Sequence, residues 1–172
     1  MDFIKAGPNK RICAFLIDNG LASTFSLWMF VAFKSQVANW LAWTILMLFK
    51  DALSGRSPGK RFAGIQVVDE EGNPPRLSRT LLRNLFLVIP IFPIVEYIVM
   101  LKDKQEGKRV GDKAAKTRVI DLNPLAKDMT YLWISFVVVI ILALIQVCAA
   151  LYIAKKYPWL LIKMQPGIPS LK

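Results

Sequence analysis

Apolar positions along the chain gather into four long runs, separated by charged, turn-rich segments. The longest reaches from Met129 to Ala154, 26 residues without a charge, closed by Lys127 and Asp128 on one side and Lys155 and Lys156 on the other. A helix crosses a bilayer core with about 20 apolar residues, so this run predicts a transmembrane helix over about 130–153. Tyr131 and Trp133 near one end, and Tyr152, Tyr157 and Trp159 near the other, suit the two interfacial belts. Ile12 to Phe33 is a second run of 22 residues, interrupted only by Asp18. Lys5, Lys10 and Arg11 precede it in the manner of a signal peptide, but it is too long for an h-region and no A-x-A site closes it. It predicts an uncleaved first helix over about 12–33. Ser35 to Phe49 gives fifteen more uncharged residues. They predict a helix over about 36–53 if the Lys50 side chain snorkels outward and Leu53 is included. With only Lys34 between them, these two helices form a tight hairpin.

The fourth run, Leu81 to Leu101, holds Pro90, Pro93 and Glu96 within VIPIFPIVEYIVML. Its length would suffice to span, yet two prolines three apart remove two ladder donors and break a helix. If the broken segment enters and returns on one side, most of the basic residues lie on the side of the N-terminus. A full crossing divides them more evenly, so the positive-inside rule favours re-entry, with the N-terminus inside and the C-terminal tail outside.

Two β-rich stretches give an independent reason. Residues 61–68, ending in Ile65-Gln66-Val67-Val68, precede the broken segment, and residues 116–121 follow it. Two lone strands are marginal unless they pair, and pairing puts both on one face of the membrane. Gly55 to Lys60 (GRSPGK) imitates a phosphate loop, but three residues instead of four part its glycines and Arg61 follows the lysine. Pro58, Gly59 and Lys60 therefore read as a turn before a strand. The fold class is an all-α helical membrane protein: three transmembrane helices, a proline-broken re-entrant or interfacial helical hairpin, and a two-stranded cytoplasmic β element. Residues 1–122 form the membrane domain, and 123–172 add a C-terminal helix and an interfacial tail.

Composition sharpens this picture. The 172 residues are 55% apolar, above the roughly 45–50% of an ordinary soluble domain, yet carry a net charge of +11. Disorder requires low hydrophobicity, and a nucleic-acid binder would line one water-facing surface with its cations. Neither fits, and the positive charge reads as a cytoplasmic signature that attracts anionic lipid. The chain has no histidine, the commonest general base, and no nucleophile motif, so an enzyme is not expected. Cys13 and Cys148 lack the setting of a disulfide or metal site. No cofactor and no metal are implied.

Arg11 and Asp18, seven apart, lie about 20° apart around a helix but about 10 Å apart along it. Each therefore requires a partner elsewhere, and Asn19, Ser23 and Ser26 extend the same polar side. An aspartate two turns into the bilayer is paired, protonated or facing a wet cavity. Glu96, just beyond the proline break, poses the same problem, with Arg83 or Asn84 as candidate partners. These carboxylates either fix helix packing or, beside the unwound backbone of a discontinuous helix, form a proton or cation site.

An Arg opening the first helix and an Asp seven residues on are followed by SPGKRFAGIQVVDEEG, LSRTLLRNL and KRVGDKAAKTRVI. This combination resembles the RDD family of small bacterial membrane proteins, over about Lys10 to Asp121. By position, Arg11, Asp18 and Asp112 are the arginine and two aspartates that give the family its name. The Pro-Gly-Lys turn falls on Pro58, Gly59 and Lys60, and the Leu-Arg-Asn element on Leu82, Arg83 and Asn84. Lys116 stands where the family commonly has a small residue, and Glu96 where its third segment often has no acid. The resemblance implies an integral protein of a bacterial cytoplasmic membrane, with a role in transport that extends to sodium/proton exchange.

Two functions follow. In the first, a small homo-oligomeric transporter exchanges cations for protons at Asp18, helped by Glu96 or Asp112, with Arg11 setting its pKa. In the second, a non-transporting assembly or regulatory factor uses Arg11 and Asp112 as structural ion pairs and meets a protein partner through its C-terminal helix. Asp112 in a water-facing turn motivates the second, but two acids at membrane depth beside a broken helix put transport ahead.

Overall fold

The computed structural model describes residues 4–52, 54–89, 91–103, 107–125 and 128–156. Pro90, Leu53, Tyr157 and Trp159, invoked above, lie outside the described residues. Helix α1, Pro8–Phe33, begins with proline in its first turn and ends where Lys34 turns left-handed at φ 51°. Helix α2, Gln36–Phe49, follows at once, with the Ser35 hydroxyl accepting from the Ala38 N–H at 3.4 Å. The expected hairpin is present, but α2 stops at 14 residues. Lys50 turns inward to Asp18 with its side chain 7% exposed. It does not snorkel, because a buried carboxylate offers it a partner.

The second correction concerns the Pro-Gly-Lys stretch. Residues Pro58–Ala63 form a short helix, α3, and not the start of a strand. Ser57 caps it by accepting from Lys60 N–H at 3.3 Å, Pro58 takes the first helical position, and Gly64 closes it at φ 66°. These are the residues that favour a helix start and stop. Strand β1, Ile65–Asp69, comes next, then helix α4, Leu77–Val88, and helix α5, Phe92–Lys102. Helix α6, Val110–Ala114, strand β2, Thr117–Asp121, and helix α7, Asp128–Lys156, complete the chain.

The two strands pair antiparallel, from Ile65 opposite Asp121 to Asp69 opposite Thr117. The N-terminal segment joins their edge: Ala6 N–H donates to Val119 O, and Asp121 N–H to Ile4 O. Helices α4 and α5 are bent by 111° at their break. A single ladder cannot straddle a bilayer, since its polar backbone groups need one continuous setting. The two ends of the α4–α5 hairpin therefore lie on one face of the membrane, as a re-entrant or an interfacial hairpin requires. Helices α1 and α7 are long and apolar enough to span, and the bent pair would make a third span if read as one. Helix α7 packs along α1, where Gly20 leaves room for the Leu142 side chain.

A compact apolar patch of Ala6, Ala14, Ala63, Ile65, Val67 and Val119, capped by Tyr131, joins the base of α1 to α3 and the strands. Its helical residues, Ala14 and Ala63, are small where the backbones of α1 and α3 come close. Gly59 sits directly over the Ala14 carbonyl of α1, and Gly111 over the Arg83 backbone of α4. A Cβ at either position would overlap those atoms.

Candidate functional site

Beside that core lies a cluster of charges closed to solvent. Asp18, on α1, accepts from the Ser57 hydroxyl at 2.6 Å and the Gly59 N–H at 2.8 Å, with Lys50 Nζ at 3.7 Å. Its carboxylate thus reaches across to hold the first turn of α3. Arg11, seven residues earlier, donates to the carbonyls of Gly107 at 2.6 Å and Val119 at 3.3 Å, and pairs with Asp112 at 3.5 Å. The two α1 residues do have separate partners, as their axial spacing requires.

Asp112 is fully buried, not water-facing. Its Oδ1 lies 3.0 Å from Arg83 Nη2, and its Oδ2 3.5 Å from Arg109 Nε. Three arginines therefore converge on one carboxylate, which also accepts from Arg109 N–H at 3.3 Å at the start of α6. Glu96 does not pair with Arg83 or Asn84. It accepts from Gly111 N–H at 2.8 Å and lies 3.4 Å from Arg109 Nε. The α4–α5 hairpin is thereby tied to α6. Asn84 instead donates to Leu48 O at 3.1 Å, securing the end of α2. Asp51, fully buried, pairs with Lys60 and lies 3.8 Å from Arg83 Nη1.

The sequence named Arg11, Asp18, Arg83, Glu96, Asp112 and Lys60, and all six join this one network. It missed Lys50, Asp51, Ser57 and Arg109. Lys50-Asp51 follows an apolar run immediately and reads as its boundary, although the same position can turn inward. Ser57-Pro58 carried the clearer signal, a helix cap followed by its first residue. Among the described residues, no group of three or more acids, histidines or cysteines converges as metal ligands would.

Burial alone pushes the Asp112 carboxyl up, but Arg83, Arg109 and Arg11 outweigh it and hold it well below the usual carboxylate range. Asp51 behaves alike, with Lys60, Arg83 and Lys50 overcoming its burial. Lys60 goes the other way: burial dominates the pull of Asp51 and brings its ammonium down to about 7. The directions agree with a cluster rich in cations, where carboxylates stay ionised and a buried lysine is the group that yields a proton.

Farther along α1, the surroundings change from charged to neutral. Asn19, Ser23 and Ser26 line a groove of about 840 Å³ together with Gln36, Asn39 and Gln146. Trp43 Nε1 donates to Asn19 Oδ1 at 3.2 Å across it.

The family model of the RDD family matches residues 5–116. The chain belongs to the RDD family. The match runs from the N-terminal segment at the sheet edge past the end of α6, so the whole charge cluster lies inside it, while β2 and α7 follow it. No curated protein and no solved structure matches the chain. In this RDD protein two of the three name-giving positions, Arg11 and Asp112, pair directly. The third, Asp18, answers to Lys50 and the α3 backbone. The apolar helices and the family together make it an integral membrane protein.

Proposed function

We propose that this RDD protein exchanges small cations for protons across a bacterial cytoplasmic membrane, with its N-terminus inside. The observation that carries the reading is the buried Asp18 carboxylate beside the Lys50 ammonium, on a helix whose Asn19, Ser23 and Ser26 line a separate, largely apolar groove. Asp18 and Lys50 form one of the looser ion pairs of the cluster, at 3.7 Å. A cation that takes the Asp18 carboxylate removes the counter-charge of the buried Lys50 ammonium. Lys50 then releases a proton, and the site's net charge is unchanged. Glu96 and Asp112 serve this reading as anchors, because arginine and backbone N–H groups already occupy them.

The test is flux in proteoliposomes. Asn at position 18 keeps one oxygen for the Gly59 N–H, and its amide N–H can donate to the Ser57 hydroxyl oxygen in place of accepting from it, so Asp18→Asn retains the fold and abolishes cation-driven proton movement. Exchange at the wild-type rate would sink the mechanism. A second reading, an assembly or regulatory factor, draws on the way Asp18 holds α3 and Asp112 holds α4, α6 and α1. In that reading wild-type vesicles show no flux, and the exposed cationic face meets anionic lipid or a protein partner. Co-purification of a partner that Asp18→Asn releases would favour it.

A further inference from the structure

At the heart of the cluster lies a cavity of about 30 Å³. That is room for one or two waters or an ion of similar size. Its polar lining is Arg11, Asp18, Lys50, Lys60, Arg83 and Arg109, five cations against one carboxylate. Asp51, Glu96 and Asp112 pair with the same cations from outside the lining. Counting them, the buried network holds five positive and four negative groups, one cation in excess.

A second observation concerns the donors. Arg83 is 0% exposed; its Nη2 faces Asp112 at 3.0 Å and its Nη1 faces Asp51 at 3.8 Å, but its Nε has no acceptor. Arg11 Nε is in the same position. Buried guanidinium nitrogens demand acceptors, and the one carboxylate facing the cavity is already engaged by Ser57 and Gly59. A metal cation added to these five positive charges, with no proton leaving Lys50, would be repelled by them. A water would satisfy donors but leave the charge excess buried, which costs far more than an unmet hydrogen bond. A sulfate, phosphate or lipid headgroup is too large for the space.

We propose that this cavity binds a small monovalent anion of the halide class, held by Arg83 and Arg11 and balanced against the excess charge of Lys60. The anion cements the joint between α1, α3, α4 and the start of α6, and it is independent of whether cations are exchanged at Asp18. Burial, ahead of the neighbouring Arg83 and Lys50 charges, lowers the proton affinity of Lys60, and an anion beside it would favour its charged form.

The experiment is thermal unfolding of the purified full chain in detergent micelles at fixed ionic strength. Chloride or bromide, replacing gluconate, should raise the apparent Tm by a few degrees and saturate, since a ligand stabilises the state it binds. Sulfate should not. Lys60→Met removes the excess cation and should abolish the halide dependence. Should that variant fail to fold, anomalous scattering from bromide in wild-type crystals gives the answer, with a peak expected beside Arg83. No halide-specific rise in Tm, or density in the cavity without anomalous signal, would mean a water and overturn the proposal.

Discussion

Helices α1 and α7 are both long enough to span a bilayer, yet their most apolar windows are 28% and 6% buried within the protein. Helix α7 meets its surroundings with Phe136, Val137, Ile140, Ile141, Leu144 and Ile145, all exposed on its outer faces. Helix α1 turns Arg11, Cys13, Ala14, Asp18, Ala22 and Ser26 inward. One helix leaves its apolar outer faces open to a lipid cover, while the other is held by charges and close backbone contacts. Apolar burial tolerates substitution, because one lipid-facing side chain replaces another at little cost. A buried ion network does not, because removing one partner strands the rest. Helix energetics in the two regions should therefore differ by an order of magnitude.

The largest expected effect is at Asp112. Three arginines lean on this one carboxylate, and breaking a buried pair costs about 3–5 kcal/mol. Asp112→Ala should lose most of the folded protein, read as a collapse of the monodisperse peak in size-exclusion chromatography. A wild-type melting curve for this variant would show that the cluster is not what holds α1, α4 and α6 together.

The glycines come next. Gly111 and Gly59 lie in helices α6 and α3, where intrinsic propensity favours alanine by about 1 kcal/mol. Their neighbours, the backbones of Arg83 and Ala14, cannot yield as a flexible side chain can. Gly111→Ala should therefore destabilise by about 1–3 kcal/mol, the usual cost of overpacking. A stabilised variant would mean that α6 stands farther from α4 than described.

These two sites also mark what the sequence makes legible. Runs of apolar residues expose α1, α2 and α7, because hydropathy is a local property. The return of α4–α5 was legible by combining prolines with two strands that need each other. Asp18 and Glu96 announced themselves as misfits inside apolar runs. Their partners did not. Glu96 meets Gly111 and Arg109, and Asp18 meets Ser57 and Gly59, across sequence gaps that no periodicity links. Asp112 looked water-facing because its neighbours Lys108, Arg109 and Lys113 are charged. In fact Arg109 is among its counter-ions. A charge-rich segment reads as solvated until the charges it faces are known.

Acid should separate the same two regions by a smaller amount. Asp51 and Asp112 sit below their ordinary value of 3.8 in the fold. Their contribution is thus complete above that value and is lost as the pH falls below about 4 and through the folded pKa. Lys60, near 7 when folded against 10.5 ordinarily, acts oppositely. Between those values the unfolded chain holds a proton that the folded chain lacks, so stability rises with pH. Apparent Tm in gluconate should therefore climb from pH 7 to 9 and fall steeply below 4. A flat alkaline limb in Lys60→Met would assign the climb to that residue. An unchanged slope would remove the assignment.

The smallest effect belongs to α7. Ile140 is 58% exposed on the outer face of its helix. If lipid covers that face, Ile140→Ala exchanges one apolar contact with acyl chains for another. The change should then lie within about 0.5 kcal/mol, as for ordinary exposed positions. The comparison breaks if the variant loses several degrees of Tm, or if its elution shifts to a smaller particle. Either result would mean that the face is covered by a second copy of the chain, because only a packed protein neighbour leaves a cavity when a side chain is cut back. Helix α7 would then share the property that sets α1 apart, a dependence on specific contacts, and lipid would not suffice to explain how it is held.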